Sequence, residues 1–485
     1  MKKYACMVFA VVLAAIVFAF SCSKDVQNTD NPATDDGGEN PGQNSGGDIL
    51  DGLPDMDFKG ESFGIYLPNN PDSVQPAGIY TEGMNGEIFN DAVYNKNAFI
   101  EEKYNVKLNV AFGATWDSTA SDLKKNVLAG DLPHNVYLSH ITKDIAAMTA
   151  DGLLCKWNDV PYVDFGKPWW NSATTDMLAI DGKIYWTVSS MSMPDTLVLL
   201  FNKQMLENYQ LEDPYELVRS GKWTIDKLSE MSKSASRDLD GDGKWTKEDQ
   251  YGLEFGNIYQ GTWLMYACGG NTFVMGDDGY PQLNLASPRM VEIYEKMWNL
   301  YYEGPPTFLY SEDGGNYPVL GVESGRVLFC QYLLNTCKKL NAYEVDYGIL
   351  PMPKFDEKQE RYLAYIHSSL YGIPAIATKE DLEKTGLLLE AMARLGYRDI
   401  LPMYHDVVLK IKTVRDDDSS EMLDLIFNNP TDDIANHYDV DQSAPYFIPG
   451  KLAAKNRNYT SEVEKVQDGL TQKFRDFYDK VKAIQ

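Results

Sequence analysis

The stretch DTLVLLFNKQML (residues 195–206) joins a strand pattern directly to a helix pattern. Its large apolar residues run to Phe201, and the pattern becomes helical after Asn202-Lys203. A similar alternation precedes it, with predicted strands at ESFGIYLP (61–68), KLNVAF (107–112) and NVYL (135–138) and a predicted helix at 89–106. Strands that alternate with helices of this length predict an α/β fold with parallel strands joined by crossovers.

Two polar pairs follow predicted strands in the first part of the chain. Asn69-Asn70 comes directly after the strand at 61–68, and Ser139-His140 follows NVYL. In open α/β sheets, ligands bind beyond the carboxyl ends of the strands. We therefore predict that Asn69, Ser139 and His140 contact a ligand.

The second half of the chain continues the alternation. Thr224 is placed to cap a helix from Ile225 to about Ser236, and Ser287-Pro288 begins a long amphipathic helix. Short strands are predicted at VLFCQY (327–332), YGILPMP (347–353) and AYIHSSLYGIPA (364–375). The remainder has mainly helical patterns.

The segment DLDGDGKWTKED (238–249) has the spacing of a calcium-binding loop. Calcium takes about six to eight oxygen ligands, which a twelve-residue loop supplies from positions 1, 3, 5, 7, 9 and 12. Gly243 falls at position 6, where the chain turns sharply, and position 12 carries Asp rather than the usual Glu. An acidic turn without metal is the alternative; we favour a structural calcium ion held by Asp238, Asp240, Asp242, the Lys244 carbonyl, Thr246 and Asp249.

Trp169 and Trp170 are adjacent in KPWWNSATTD, so in a strand they would face opposite ways and in a loop they could clamp a ligand. Packing between two lobes is the alternative that we favour for them. Further along, Tyr259 and Trp263 share the i, i+4 spacing of one helix face.

The N-terminus predicts export. Lys2 and Lys3 precede an apolar run from Ala5 to Phe20 that is short for a membrane span, and residues 1–21 are predicted to be a signal peptide. Cys22 follows as in a bacterial lipobox, so we predict lipidation of Cys22, with plain secretion as the alternative. Residues 22–56 are poor in large apolar residues and predict a flexible tether.

Composition narrows the classes of partner. The net charge of −27 disfavours nucleic acid and anionic lipid surfaces. About 430 residues remain for the folded body, which favours two lobes over a single core. Four cysteines lie in that body without CxxC spacing, and we expect at most one disulfide among them.

Seven fragments follow one another along the chain: DGLLCKWNDVPYVDFGKPWWN, DTLVLLFNKQML, DPYELVRSGKWTIDKL, DLDGDGKW, ESGRVLFC, DYGILPMPKFDEKQERY and RDDDSSEMLDLIF. Their order resembles the extracellular solute-binding proteins of family 1, lipoproteins that deliver sugars to ABC importers. The resemblance implies a two-lobed periplasmic-binding-protein-like fold of type 2, with lobe 1 at 57–194 and about 369–405 and lobe 2 at 195–368 and about 406–485. It also implies crossings near Met193–Leu197, Ser368–Ile373 and Met403–Lys410.

The resemblance also implies binding residues. Maltose-binding members of the family have a stacking aromatic shortly before a Gly-Gly pair, which Tyr259 matches, and a carboxylate where this chain has Asn257. Tyr332 follows the ESGR segment, and Ser139-His140 matches a polar loop of the first lobe. The complete predicted ligand-binding set is Asn69, Ser139, His140, Trp169, Trp170, Asn257, Tyr259, Trp263, Tyr332 and Tyr371.

A neutral saccharide fits this mixture of aromatic rings, amides and hydroxyls, and the sequence has no arginine cluster for an anion. HExxH, GxSxG and Walker-type motifs are absent from the sequence, and its five histidines lack metal-ligand spacing. We therefore predict a monomeric, non-enzymatic capture protein that closes by a hinge and docks on ABC permease subunits, held on the extracytoplasmic side of a bacterial membrane by its lipid. A surface glycan-binding lipoprotein without a permease and a carbohydrate-active enzyme are the alternatives.

Overall fold

The computed structural model describes residues 49–70, 75–140, 142–303, 308–310, 318–406, 416–438, 440–441 and 443–484. The predicted signal peptide, Cys22 and most of the predicted tether lie outside these ranges. Leu50 is buried, and Arg394 donates to the carbonyls of Ile49 and Asp51, so the packed body begins before residue 56. Within the described ranges, no helix has both the length and the apolar character needed to cross a bilayer.

The strands and helices alternate along the chain. The strands are β1 Glu61–Leu67, β2 Val106–Phe112, β3 Val136–His140, β4 Leu197–Asn202, β5 Tyr251–Phe255, β6 Phe273–Met275, β7 Pro281–Leu283, β8 Phe308–Tyr310, β9 Val327–Leu333, β10 Tyr347–Leu350, β11 Ala364–Tyr365, β12 Ser369–Gly372 and β13 Pro430–Thr431. The helices are α1 Ile88–Tyr104, α2 Thr119–Ala129, α3 Ile145–Ala150, α4 Ser172–Leu178, α5 Lys203–Asn208, α6 Pro214–Arg219, α7 Ile225–Ala235, α8 Gly261–Ala267, α9 Pro288–Tyr302, α10 Lys379–Leu395, α11 Leu401–Met403, α12 Asp417–Phe427, α13 Ile434–His437, α14 Phe447–Ala453 and α15 Tyr459–Lys482.

The first lobe is built on a sheet with the strand order β12-β3-β1-β2. Strand β1 pairs in parallel with β2 and β3, which confirms the predicted parallel arrangement for these strands. Strand β12 returns from much later in the chain and pairs antiparallel with β3, with Ser369 opposite His140. The last residues of β1 and β3 therefore lie at the same edge of this sheet.

The second lobe is built on a sheet with the order β10-β4-β9-β5-β8. Strand β4 is buried along its whole length and pairs antiparallel with both β9 and β10. The predicted strand at 195–201 and the helix that follows it are both present, and Asn202 caps that helix by accepting from the Met205 N–H.

The chain passes between the lobes at paired segments. Asp195 and His367 exchange two backbone hydrogen bonds, of 2.7 and 3.1 Å, so the first and second crossings lie side by side as a two-stranded ribbon. The predicted strand at 364–375 is divided here, because β11 pairs with β13 whereas β12 joins the first sheet. The predicted third crossing lies partly outside the described residues.

The C-terminal helix gives the lobes a second connection. Helix α15 contacts α3, which follows the first sheet, and also α9 and β7 on the side of the second sheet. Lys480 forms an ion pair of 3.0 Å with Asp151, and the Lys183 ammonium donates to the Ile484 carbonyl. The two lobes are therefore held together away from the crossings as well as at them.

Candidate functional site

An aromatic cluster forms where the two lobes meet. We define it as Trp116, His140, Trp263, Tyr365 and His367. Two of its members come from the first lobe, since His140 ends β3 and Trp116 follows β2. Two others stand on α8 and β11, and His367 lies on the crossing ribbon between β11 and β12.

The rings of the first lobe contact each other at the sheet edge. The centroids of Trp116 and His140 are 5.3 Å apart in an edge-to-face arrangement, and the Lys143 ammonium lies 4.5 Å from the Trp116 ring centroid. The Asn69 N–H donates to the Thr115 carbonyl, so the end of β1 lies beside this loop. Trp116 remains 39% exposed and offers part of its ring to a ligand.

The second lobe contributes a continuous series of rings. Trp263 lies 5.5 Å from Tyr365 and 5.1 Å from His367, measured between ring centroids. His367 in turn lies 6.0 Å from His140, and this contact joins the two groups of rings. The aromatic cluster therefore spans both lobes.

Several polar atoms in this region are buried without a hydrogen-bond partner among the described residues. They are Trp263 Nε1 and His367 Nε2 within the aromatic cluster and Nδ1 of the neighbouring His437. A buried polar atom without a partner costs free energy of about 1–3 kcal/mol. A ligand hydroxyl group can accept from the indole N–H and can donate to or accept from an imidazole nitrogen.

Burial keeps the imidazoles neutral. Desolvation lowers the pKa of His140 to about 4, with Lys143 adding to the effect, and lowers the pKa of His367 to about 3. Near neutral pH both side chains are therefore uncharged, with one donor and one acceptor each. The cluster suits a neutral, hydroxylated ligand better than an anion.

An aspartate connects two helices beside the cluster. Asp432 contacts His437 Nε2 at 2.5 Å and accepts from the Thr174 hydroxyl at 3.0 Å. Its backbone carbonyl also accepts from the Asn271 amide. Since Thr174 lies on α4 and His437 on α13, this network fixes the position of His437 next to Tyr365, whose ring centroid is 6.4 Å away.

Three other predicted ligand-binding residues, Asn257, Tyr259 and Ser139, are not members of the aromatic cluster. Asn257 is buried and caps the turn Ile258–Gln260, which precedes α8. Tyr259, on that turn, is 48% exposed and lies edge to face with Tyr446 at 5.9 Å. Ser139 is buried, and its hydroxyl donates to backbone carbonyls of the same loop. Tyr259 is thus an exposed ring near Trp263, whereas Asn257 and Ser139 support the backbone.

The two adjacent tryptophans are not part of the aromatic cluster. Both indole N–H groups donate to the buried carboxylate of Glu390 on α10, at 2.9 Å from Trp169 and 2.7 Å from Trp170. Trp170 is buried in the core of the first lobe. The structure therefore places the pair in packing within the first lobe rather than between the two lobes, and their contact with a ligand stays a prediction.

Tyr332 and Tyr371 also lie in core positions. The Tyr332 hydroxyl donates to Glu323 at 2.6 Å, and Tyr371 bonds Ser192 at 2.7 Å. Both rings are more than nine-tenths buried. In this structure both side chains pack in the core and each hydroxyl has a protein partner, so their contact with a ligand stays a prediction.

Sequence reasoning missed Trp116, Tyr365, His367 and His437. Trp116 follows a predicted strand, so the rule that selected Asn69 and His140 also applies to it. The others come together only through the pairing of β12 with β3 and of β11 with β13. Such pairings have no signal in a single sequence.

The acidic loop at 238–249 has the form expected of a cation-binding turn. Carboxylate oxygens of Asp238, Asp240 and Asp242 lie within 4.8 Å of one another, and Gly243 adopts a positive φ of 78°. These three carboxylates accept backbone N–H groups within the loop, and the Asp249 carboxylate accepts from those of Leu239 and Thr246, of which the Thr246 N–H lowers its pKa most. Asp249 therefore closes the loop from a buried position.

Known structures share this fold. The chain resembles the cyclic α-maltosyl-1,6-maltose binding protein from Arthrobacter globiformis, with a TM-score of 0.58 and 12% identity over 86% of this chain and 99% of that one. It also resembles an ABC substrate-binding protein from Listeria monocytogenes in complex with cycloalternan, with a TM-score of 0.56 and 13% identity over 85% and 98%. A third is the MalE domain from Bdellovibrio bacteriovorus bound to maltotriose, with a TM-score of 0.54 and 14% identity over 86% and 100%.

No known family model and no curated protein matches the chain. The structural similarities nevertheless define the architecture, and they confirm the predicted α/β, two-lobed periplasmic-binding-protein-like fold. At these identities they establish the fold alone.

His367 provides a test of the site by pH. Its pKa is lowered to about 3 in the folded protein, so below about pH 6.5 the unfolded chain takes up a proton that the folded one does not, and stability falls. We expect His367→Gln to lose this dependence. Because the residue keeps some accessible surface, the variant should gain about 1–2 kcal/mol relative to the parent protein between about pH 7 and pH 5. Urea unfolding at both pH values measures the difference, and a difference that does not change with pH would contradict the assignment.

Proposed function

We propose that this protein captures a neutral saccharide between its lobes and performs no chemistry on it. The observation that carries the proposal is the aromatic cluster, which joins ring faces from both lobes to buried polar atoms that lack partners among the described residues. Sugar rings have apolar C–H faces that stack on aromatic planes and hydroxyls that pair with amides and imidazoles. The solved structures of the same fold include proteins with bound cyclic and linear oligosaccharides, which supports this class of ligand.

Ligand contact with both lobes explains how capture would work. A solute that touches both Trp116 and Trp263 stabilises the closed arrangement over any arrangement that separates them. The ABC permease is the partner that this fold class supports best, and a lipid on Cys22 would hold the protein on the extracytoplasmic side of a bacterial membrane. Both belong to the proposal, together with the monomeric state.

A ligand screen tests the proposal directly. Calorimetry with maltose, maltotriose and cyclic maltosaccharides is expected to give binding, and chromatography of the same mixtures is expected to return the sugars unchanged. Release of reducing sugar would show an enzyme instead. The absence of binding to a broad panel of neutral saccharides would overturn the ligand class.

We further propose that calcium stabilises the loop at 238–249, with Asp238, Asp240, Asp242, the Lys244 carbonyl, Thr246 and Asp249 as the ligand set. The three converging carboxylates fit a hard, oxygen-binding cation, and the ion's role would be structural. All four aspartates accept backbone N–H groups, but only the first three bring carboxylate oxygens within 4.8 Å of one another, so we expect those three to contribute most.

Removal of calcium is expected to destabilise the protein. At calcium about a hundredfold above its Kd, binding stabilises the folded state by about 2–3 kcal/mol, and a chelator should remove that contribution. Asp240→Ala should lower the melting temperature and abolish the response to chelator. Asp277→Ala, at an exposed aspartate outside the loop, is the matched control and should keep the response. A native protein whose thermal unfolding ignores both calcium and chelator would rule the metal out.

A further inference from the structure

A pocket separate from the aromatic cluster lies in the second lobe, against α6 and α12. Its volume is about 500 Å³, and its walls include Gly221, Lys354, Arg361, Tyr362 and Asn429. No member of the aromatic cluster lines it. This volume falls in the range of small-molecule sites.

Lys354 is the unusual residue of this pocket. It is only 3% exposed, and its backbone is fixed by hydrogen bonds to Trp223 and Ile225. Its ammonium lies 5.1 Å from the Tyr362 ring centroid and 3.3 Å from where a Cβ on Gly221 would be. Since both of those residues line the pocket, the ammonium stands at its wall.

That ammonium has no carboxylate partner. Among the ion pairs of the described residues none involves Lys354, although the chain has 71 acidic residues and 44 basic ones. Burying an unpaired charge is costly, and desolvation lowers the pKa of Lys354 against the raising effect of Asp356 and Glu357. A bound anion would remove this cost.

The other charges of the pocket limit what that anion is. Arg219 already forms ion pairs with Glu216, Asp418 and Glu421. Arg361 is exposed at the rim and forms no ion pair with the described residues, so Lys354 and Arg361 are the available cations. Glu360 and Asp424 also line the pocket, and their charge disfavours a phosphate dianion. A planar monocarboxylate fits this balance, because guanidinium and carboxylate geometries match.

We propose that this pocket binds a small hydroxylated monocarboxylate of the sugar-acid class, with its carboxylate between Lys354 and Arg361. The Asn429 amide nitrogen donates to the Leu425 carbonyl, which leaves its side-chain oxygen as an acceptor for a ligand hydroxyl. Asn428 supplies a second amide on the same wall. The proposal is independent of what the aromatic cluster binds.

Calorimetry on the mature chain with D-glucuronate, D-glucose and inorganic phosphate tests the proposal. Glucuronate is expected to bind this pocket more tightly than either of the others. Lys354→Met should weaken glucuronate binding by about tenfold or more, the loss expected for a charge-assisted hydrogen bond. Lys358→Gln removes the same charge from an exposed residue of the same segment that does not line the pocket, and it should bind as the parent protein does.

Two further variants make the outcome decisive. Arg361→Gln changes an exposed side chain, so it should fold and bind glucuronate several-fold more weakly even if Lys354→Met fails a circular-dichroism check. Trp263→Ala should leave glucuronate binding unchanged. The proposal is overturned if glucuronate does not bind, if Lys354→Met weakens glucose or phosphate binding as much as glucuronate binding, if neither pocket variant weakens glucuronate binding, or if Trp263→Ala abolishes it.

Discussion

Replacing Glu390 by alanine is expected to lower the free energy of unfolding by about 3–5 kcal/mol, the range found when one partner of a buried charged pair is removed. The Glu390 carboxylate is fully buried and accepts from both indole N–H groups of Trp169 and Trp170 and from Arg394 at 2.9 Å. The Arg394 guanidinium also donates to the backbone carbonyls of Ile49 and Asp51. The substitution therefore removes the shared acceptor of three donors, of which the Trp170 indole N–H is buried, and loosens the contact between Arg394 and the start of the packed body.

Urea unfolding followed by tryptophan fluorescence measures this loss. Glu390→Gln keeps the volume and one acceptor oxygen, so its loss should be smaller, about 1–3 kcal/mol. Glu380→Ala, at an exposed glutamate in the first turn of the same helix, is the matched control and should change stability by less than about 0.5 kcal/mol. If Glu390→Ala changed the free energy of unfolding as little as Glu380→Ala does, the hydrogen bonds to Glu390 would not contribute to stability.

Trp263→Ala is expected to weaken saccharide binding by at least about thirtyfold, equivalent to about 2 kcal/mol, as for the dominant aromatic residue of a binding site. Trp263 touches both Tyr365 and His367, and its indole nitrogen is buried without a partner among the described residues. The substitution would remove a ring face and a donor at the centre of the aromatic cluster.

Two other substitutions separate binding from folding. Trp263→Phe keeps a ring but loses the N–H, so we expect a loss of about tenfold or less. Trp298→Ala removes a half-buried tryptophan of α9 that packs on Tyr302 and lies outside the cluster. It should leave affinity unchanged, measured by calorimetry with whichever neutral sugar binds. If Trp263→Ala bound the sugar with the same affinity as the parent protein, the ligand would have to bind outside the aromatic cluster.

The sequence predicts the fold well because local patterns determine it. Strands β1 and β2 and helix α1 were expected within one or two residues of their observed bounds, since apolar runs with polar ends mark them. The segment 364–375 is predicted as one strand, although the polar run from His367 to Ser369 interrupts its apolar residues where β11 and β12 separate. That division depends on which sheet each half joins.

The candidate site was only partly predictable for the same reason. His140 follows from the rule about strand ends, and Trp263 from helical spacing. His367 is brought beside His140 by a pairing across more than 200 residues, as Ser369 opposes His140. The pair Trp169 and Trp170 attracted a functional interpretation because its partner, the Glu390 carboxylate, lies on a helix far along the chain.

The doubly bonded pair of Asp195 and His367 restricts how the halves of the molecule can move. Because the two crossing strands are hydrogen-bonded to each other, they cannot slide past one another, so at these two crossings the lobes can move only by bending of the ribbon as one unit. His367 lies on this ribbon, so its imidazole moves with it. Its distance from His140 would therefore change as the ribbon bends, so under the proposed function the residue that contacts the ligand would also move with the angle between the lobes.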